Sequence, residues 1–174
     1  MKSKVLALIL LCGAASLGAK VKLPALVGDN MILQQQTEVK LWGTAAPEAE
    51  VRVTPSWNGQ TMTCRADKDG GWTLAVETPA AGYTPYEITF DDGEKTTLKN
   101  ILIGEVWLAS GQSNMEMPLK GFAGCCIMNG ADDIIVSAEN KGVRMFTVPK
   151  HQTYELQTDC KGSWNISSIE TAPD

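Results

Sequence analysis

Between residues 20 and 102, apolar and polar side chains alternate in short runs separated by turn residues. Glu38-Val39-Lys40-Leu41-Trp42-Gly43, Trp72-Thr73-Leu74-Ala75-Val76 and Tyr86-Glu87-Ile88-Thr89-Phe90 each carry a period of two, the pattern of a strand with one face in a core and one in water. Turn chemistry punctuates them. Asn58-Gly59 joins 51–54 to 61–65 as a hairpin, Asp67-Lys68-Asp69-Gly70-Gly71 ends the next strand, and Asp91-Asp92-Gly93 closes another hairpin into 96–102. Upstream, 21–35 is apolar but broken by Pro24 and by Gly28-Asp29-Asn30, so it reads as an edge strand, a turn and a second strand. Six or seven short strands with a turn roughly every ten residues predict an antiparallel β-sandwich over 20–102.

The pattern changes at 103. Ile103-Gly104-Glu105-Val106-Trp107-Leu108-Ala109 is a run of β-formers that stops at Ser110-Gly111, which predicts a buried strand entering a tight turn. A Gly-rich loop follows over 121–130. Residues 131–140 then read as a helix with Asp132 and Asp133 in its favourable first turn, and 143–149 as a second strand. Strand, crossover and strand are the start of a parallel α/β layer. Two strands and one helix are fewer than such a layer requires, so 103–174 is expected to be the N-terminal part of an α/β domain and the chain a C-terminally truncated fragment.

Ser113 stands just past the predicted turn. A hydroxyl at the rim of a sheet can serve as a nucleophile once a base takes its proton, and neighbouring backbone N–H groups can then hold the oxyanion. A turn serine with no chemistry is the plainer reading of the residue alone. The whole string decides between them: Gly-Glu-Val-Trp-Leu-Ala-Ser-Gly-Gln-Ser-Asn-Met-Glu-Met-Pro, 104–118, closely resembles the nucleophile segment of the sialate O-acetylesterases, serine esterases of the SGNH hydrolase type. Leu23-Pro24-Ala25-Leu26 and Pro55-Ser56-Trp57-Asn58-Gly59 resemble features of the β-rich domain that precedes the catalytic domain in that family.

The resemblance implies Ser113 as nucleophile with its own N–H as oxyanion donor, Gln112 and Asn114 as supporting groups, and no metal or organic cofactor. The substrate it implies is an O-acetylated sialic acid or another acetylated glycan such as acetylxylan, with water as co-substrate. It also implies a catalytic His, with an Asp three residues before it, late in the domain. No such pair occurs here: the sole histidine, His151, has Val148 at that position, so the base is expected outside this sequence and the fragment is expected to have little activity. The competing reading is a non-catalytic carbohydrate-binding or structural β-sandwich module with an esterase remnant. Trp42, Trp57, Trp72, Tyr83 and Tyr86 are either a sugar-stacking face or, more in keeping with their strand positions, core and its edges.

Composition fits a globular chain: 174 residues, 44% hydrophobic, with a net charge of −5. An acidic chain with scattered Lys and Arg excludes a nucleic-acid surface. Met1-Lys2-Ser3-Lys4, the apolar run 5–11 and the small residues up to Ala19 read as a secretory signal peptide over 1–19, too short for a good membrane span, so the protein is expected to be periplasmic or extracellular. Cys12 raises lipidation, although Leu11 is bulky for that signal. Export makes disulfides possible among Cys64, Cys125, Cys126 and Cys160. Adjacent Cys125 and Cys126 pair with each other only under strain, which makes Cys160 the more plausible partner.

Overall fold

The computed structural model describes residues 20–173. The signal-peptide segment and Cys12 therefore lie outside the described residues. Seven strands come first among those described: β1 (Ile32–Gln34), β2 (Glu38–Thr44), β3 (Glu50–Pro55), β4 (Met62–Arg65), β5 (Gly71–Glu77), β6 (Gly82–Asp91) and β7 (Lys95–Gly104). Five of them form one sheet in the order β1-β7-β6-β3-β4, while β2 and β5 pair antiparallel as a second.

The two sheets share one core because their strands alternate. Trp72, Leu74 and Val76 of β5 and Leu41 of β2 point to one side and meet Val51, Val53, Ile88, Phe90, Leu98, Ile101 and Ile103 from the larger sheet. The rings of Trp72 and Phe90, with centroids 5.8 Å apart and a 47° interplanar angle, join the layers. Of the five aromatic residues with two possible roles, Trp72 is buried and Trp42, Trp57 and Tyr86 pack against this core, whereas Tyr83 is exposed.

Turn chemistry sets the register locally. Asn58 Oδ1 accepts from Gln60 N, and beyond that turn Val51 faces Cys64 and Val53 faces Met62. Asp67 Oδ1 accepts from the N–H of both Asp69 and Gly71, and Gly70 closes the turn at φ +86°, where a Cβ would lie 2.5 Å from Ala45 O.

Three expectations need correction. The larger sheet is mixed rather than antiparallel: β1 runs parallel to β7, with Ile32 opposite Leu102 and Gln34 opposite Gly104. The segment 31–35 takes the free edge of β7 through Leu102 N to Met31 O (3.0 Å) and Gln35 N to Gly104 O (2.9 Å), a pairing that no local turn dictates. The second correction lies at 105–109, which is not a strand. The last strand before it, β7, ends at Gly104, and among the described residues no strand pairs with 105–109, leaving Trp107 and Leu108 exposed. The third concerns the expected parallel layer. A helix does form, α1 (Gly130–Glu139), but β8 (Arg144–Phe146) pairs antiparallel with β9 (Trp164–Ile166) instead of joining 105–109.

Of the disulfides that the sequence left open, none is formed: Cys64, Cys125, Cys126 and Cys160 are all free thiols. Cys125 is held in a tight turn by reciprocal backbone bonds with Phe122, while Cys160 sits beside Asp159, whose Oδ1 accepts from Ala25 N. Different tethers hold the two.

Residues beyond 104 fasten to the β layers by a few directed contacts. Trp164 Nε1 donates to Leu26 O (2.9 Å) and Arg144 Nη2 donates to Asn100 Oδ1 (3.2 Å), while within the later segment the Phe146 and Trp164 rings meet edge to face at 5.4 Å and join β8 to β9. Ser167, almost fully buried, donates to Ser137 O and so ties β9 to α1.

Candidate active site

The chain leaves β7 at Gly104, crosses 105–112 in an open conformation and folds into a 3-10 turn, Ser113–Glu116. Met115 N donates to Gln112 O at 2.9 Å and so closes the entry to this turn. The amides of Ser113 and Asn114 precede that bond, as the first donors of any helical turn do, and are not consumed by it. At position 111 an added Cβ would lie 2.7 Å from Met115 Cγ, so glycine lets the chain pass close under the turn.

Ser113, Gln112 and Asn114 are thus adjacent on one exposed bend. A cleft of about 830 Å³ reaches this turn at Met115; it is walled by 102–109 on one side and 142–148 on the other, with Tyr83 and Trp164 also lining it, and Gln112, Ser113 and Asn114 are not among its lining residues. Its walls are mostly apolar and aromatic. Arg144 lines it too, and burial pushes the Arg144 guanidinium below its ordinary range. Among the described residues no three His, Cys, Asp or Glu side chains gather as a metal site, and no helix is long and apolar enough to cross a membrane.

His151 lies exposed in the loop after β8. Its neighbour Lys150 reaches the turn, with Nζ 2.7 Å from Glu116 Oε2, but among the described residues no hydrogen bond joins His151 to Ser113. The structure therefore brings the loop to the serine without assembling a nucleophile–base pair.

Sequence reasoning missed two residues. Gln34 Nε2 donates to Glu105 Oε2 (3.0 Å) and Gln35 Nε2 to Glu105 Oε1 (2.6 Å), while Gln34 Oε1 accepts from Val106 N (2.9 Å). These bonds hold the Glu105 carboxyl below the usual carboxylate range. The available signal was the run Gln34-Gln35-Gln36, where the apolar residues of β1 give way abruptly to side-chain amides.

No family model matches the chain. It is 27% identical to the sialate O-acetylesterase of Rattus norvegicus over 175 residues, which covers 92% of this chain and 31% of that protein. The chain is a distant homologue of the sialate O-acetylesterases. The Homo sapiens sialate O-acetylesterase gives 29% identity over 161 residues, covering 86% of this chain and 29% of that one. Among solved structures, a carbohydrate acetylesterase from Xanthomonas citri superposes with a TM-score of 0.78 and 31% identity, over 88% of this chain and 34% of that chain. This homologue thus spans about a third of the length of the proteins it matches.

Proposed function

We propose that this chain carries the nucleophile of an exported serine carbohydrate esterase that removes O-acetyl groups from sialic acids. The observation that carries the reading is the placement of Ser113: exposed, first in a 3-10 turn whose Met115 lines a cleft with apolar and aromatic walls, in a chain homologous to carbohydrate acetylesterases. Ser113 Oγ attacks the acetyl carbonyl carbon as its proton passes to a base. The carbonyl electrons move onto oxygen, held by the Ser113 N–H with Gln112 and Asn114 in support. Collapse expels the sugar alkoxide, which takes the proton back. Water then cleaves the acetyl-enzyme to acetate and frees the serine.

His151 has no hydrogen bond to Ser113, so in this reading the base belongs to the two thirds of the relatives' length that the chain does not span. The mixed β layers over 20–102 would precede an SGNH-type esterase domain beginning at 103. Export to the periplasm or beyond rests on the composition of residues 1–19.

The test is acetate release by the full-length protein from O-acetylated sialic acid and from acetylxylan, with and without Ser113→Ala. Release from the sialic acid that disappears in the variant supports the reading. Release from xylan alone moves the substrate to another glycan, and activity that survives Ser113→Ala ends the nucleophile assignment. A second reading, a non-catalytic glycan-binding module, draws on Tyr83 and Trp107, exposed by 80% and 87% at the cleft. It predicts glycan binding without turnover.

A further inference from the structure

Between Gly104 and Ser113 the chain has no ladder partner among the described residues, yet it must deliver Ser113 to a fixed place. The last groups that hold it are side chains of the neighbouring strand. We infer that Gln34 and Gln35, acting through Glu105, are positioning residues for Ser113; the inference rests on the reading of Ser113 as nucleophile.

The Gln34 amide uses both of its functions, donating to Glu105 Oε2 and accepting from Val106 N, so it grips a carboxylate and the following peptide together. Gln35 donates to the second carboxylate oxygen, accepts from Ala81 N (2.8 Å), and through its own backbone N–H bonds Gly104 O (2.9 Å). The exit of the chain is thereby fixed at 104, 105 and 106 against the edge of the sheet. An extended chain rises about 3.3 Å per residue, so the unpaired segment 105–109 can act as a lever of at most about 13 Å. A tilt of about 10° at its root moves its far end by about 2 Å, and a misplacement of about 1 Å can cost about 100-fold in rate.

A purely structural tie would affect stability alone. The proposed role predicts loss of kcat without loss of fold, and rescue when amide and carboxylate trade places. In Gln34→Glu two carboxylates face each other. In Gln34→Glu/Glu105→Gln, the new amide at position 105 donates to the new carboxylate at position 34. That carboxylate still accepts from Val106 N, and Gln35 still donates to the side chain at 105.

The experiment uses the full-length protein with p-nitrophenyl acetate and an O-acetylated sugar as probes, and compares wild type, Gln34→Glu, Glu105→Gln, the double variant and Ser113→Ala. Gln34→Glu is expected to lower kcat about tenfold or more while KM and Tm barely move, and the double variant to recover most of that loss. Hydrogen exchange at Val106 N is expected to quicken in Gln34→Glu and slow again in the double variant. Unchanged kcat in Gln34→Glu, or a double variant no better than it, overturns the positioning role alone, provided Ser113→Ala is dead. Turnover that survives Ser113→Ala, or its absence from the wild type, overturns the nucleophile reading and this inference with it.

Discussion

Lys150 Nζ sits 2.7 Å from Glu116 Oε2, and this contact draws the loop carrying the chain's one histidine onto the turn that begins with Ser113. Both side chains are largely exposed, by 80% and 49%, so the pair contributes only about 0–1 kcal/mol. The proximity invites assignment of His151 as general base, but no hydrogen bond links it to the serine. His151→Ala in the full-length protein is therefore expected to leave acetate release within about twofold, whereas loss of a true general base costs about 100-fold or more. Steady-state rates on one acetylated sugar decide it.

The stability of the β layers rests on the ring that joins them. Phe90 is fully buried between the sheets and touches Trp72, so Phe90→Ala leaves a cavity walled by both layers. A loss of about 3–5 kcal/mol is expected in urea unfolding. Lys40→Ala, on an exposed position of β2, should stay within about 0.5 kcal/mol.

What the sequence made legible was local. The buried set Trp72, Leu74 and Val76 follows from a period of two, and the β3–β4 register follows from Asn58-Gly59, because both signals lie within a few residues of their effect. The tight turn read at Ser110-Gly111 instead forms slightly later, as a bend at Gln112 and a 3-10 turn over Ser113–Glu116, so Ser113 opens the turn instead of following it. Illegible were the relations across distance. Gln34 and Glu105 are separated by 71 positions, and β1 joins β7 because an edge was free, not because a turn demanded it. Residues 105–109 read as a buried strand since composition reports the wish for a partner and not its presence; Trp107 and Leu108 are the result. Trp72 and Tyr83 carry equal aromatic signals, yet one is core and the other lines the cleft, because Tyr83 lies in the first four residues of β6, which are all exposed.

The thiols are expected to react in an order fixed by exposure. Burial raises the Cys64 pKa, which lowers its thiolate fraction, while Cys125 and Cys126 are exposed. Under limiting iodoacetamide at mild alkaline pH, mass spectrometry should find Cys125 and Cys126 alkylated well before Cys64. Blocked Cys125 or Cys126 before reduction would instead reveal a disulfide, against the free-thiol arrangement.

Glu105 gives the pH dependence its sign. Hydrogen bonds from Gln34 and then Gln35 stabilise its charged form, so its folded pKa lies below its ordinary value of 4.5. A carboxylate depressed on folding stabilises the native state above its unfolded pKa, and that contribution fades as pH falls through the folded pKa. Glu105→Gln cannot titrate, and its amide offers one acceptor where the carboxylate offered two. The Tm difference between wild type and Glu105→Gln is therefore expected to be largest near neutrality, constant down to about pH 5, and to shrink steadily in more acidic buffer. Because the carboxylate is exposed the difference will be small, and its trend with pH is the diagnostic quantity. A difference that grew on acidification would mean that the protonated form is the one gripped by Gln34 and Gln35. Scanning calorimetry from about pH 3 to about pH 7 at constant ionic strength reads the sign directly.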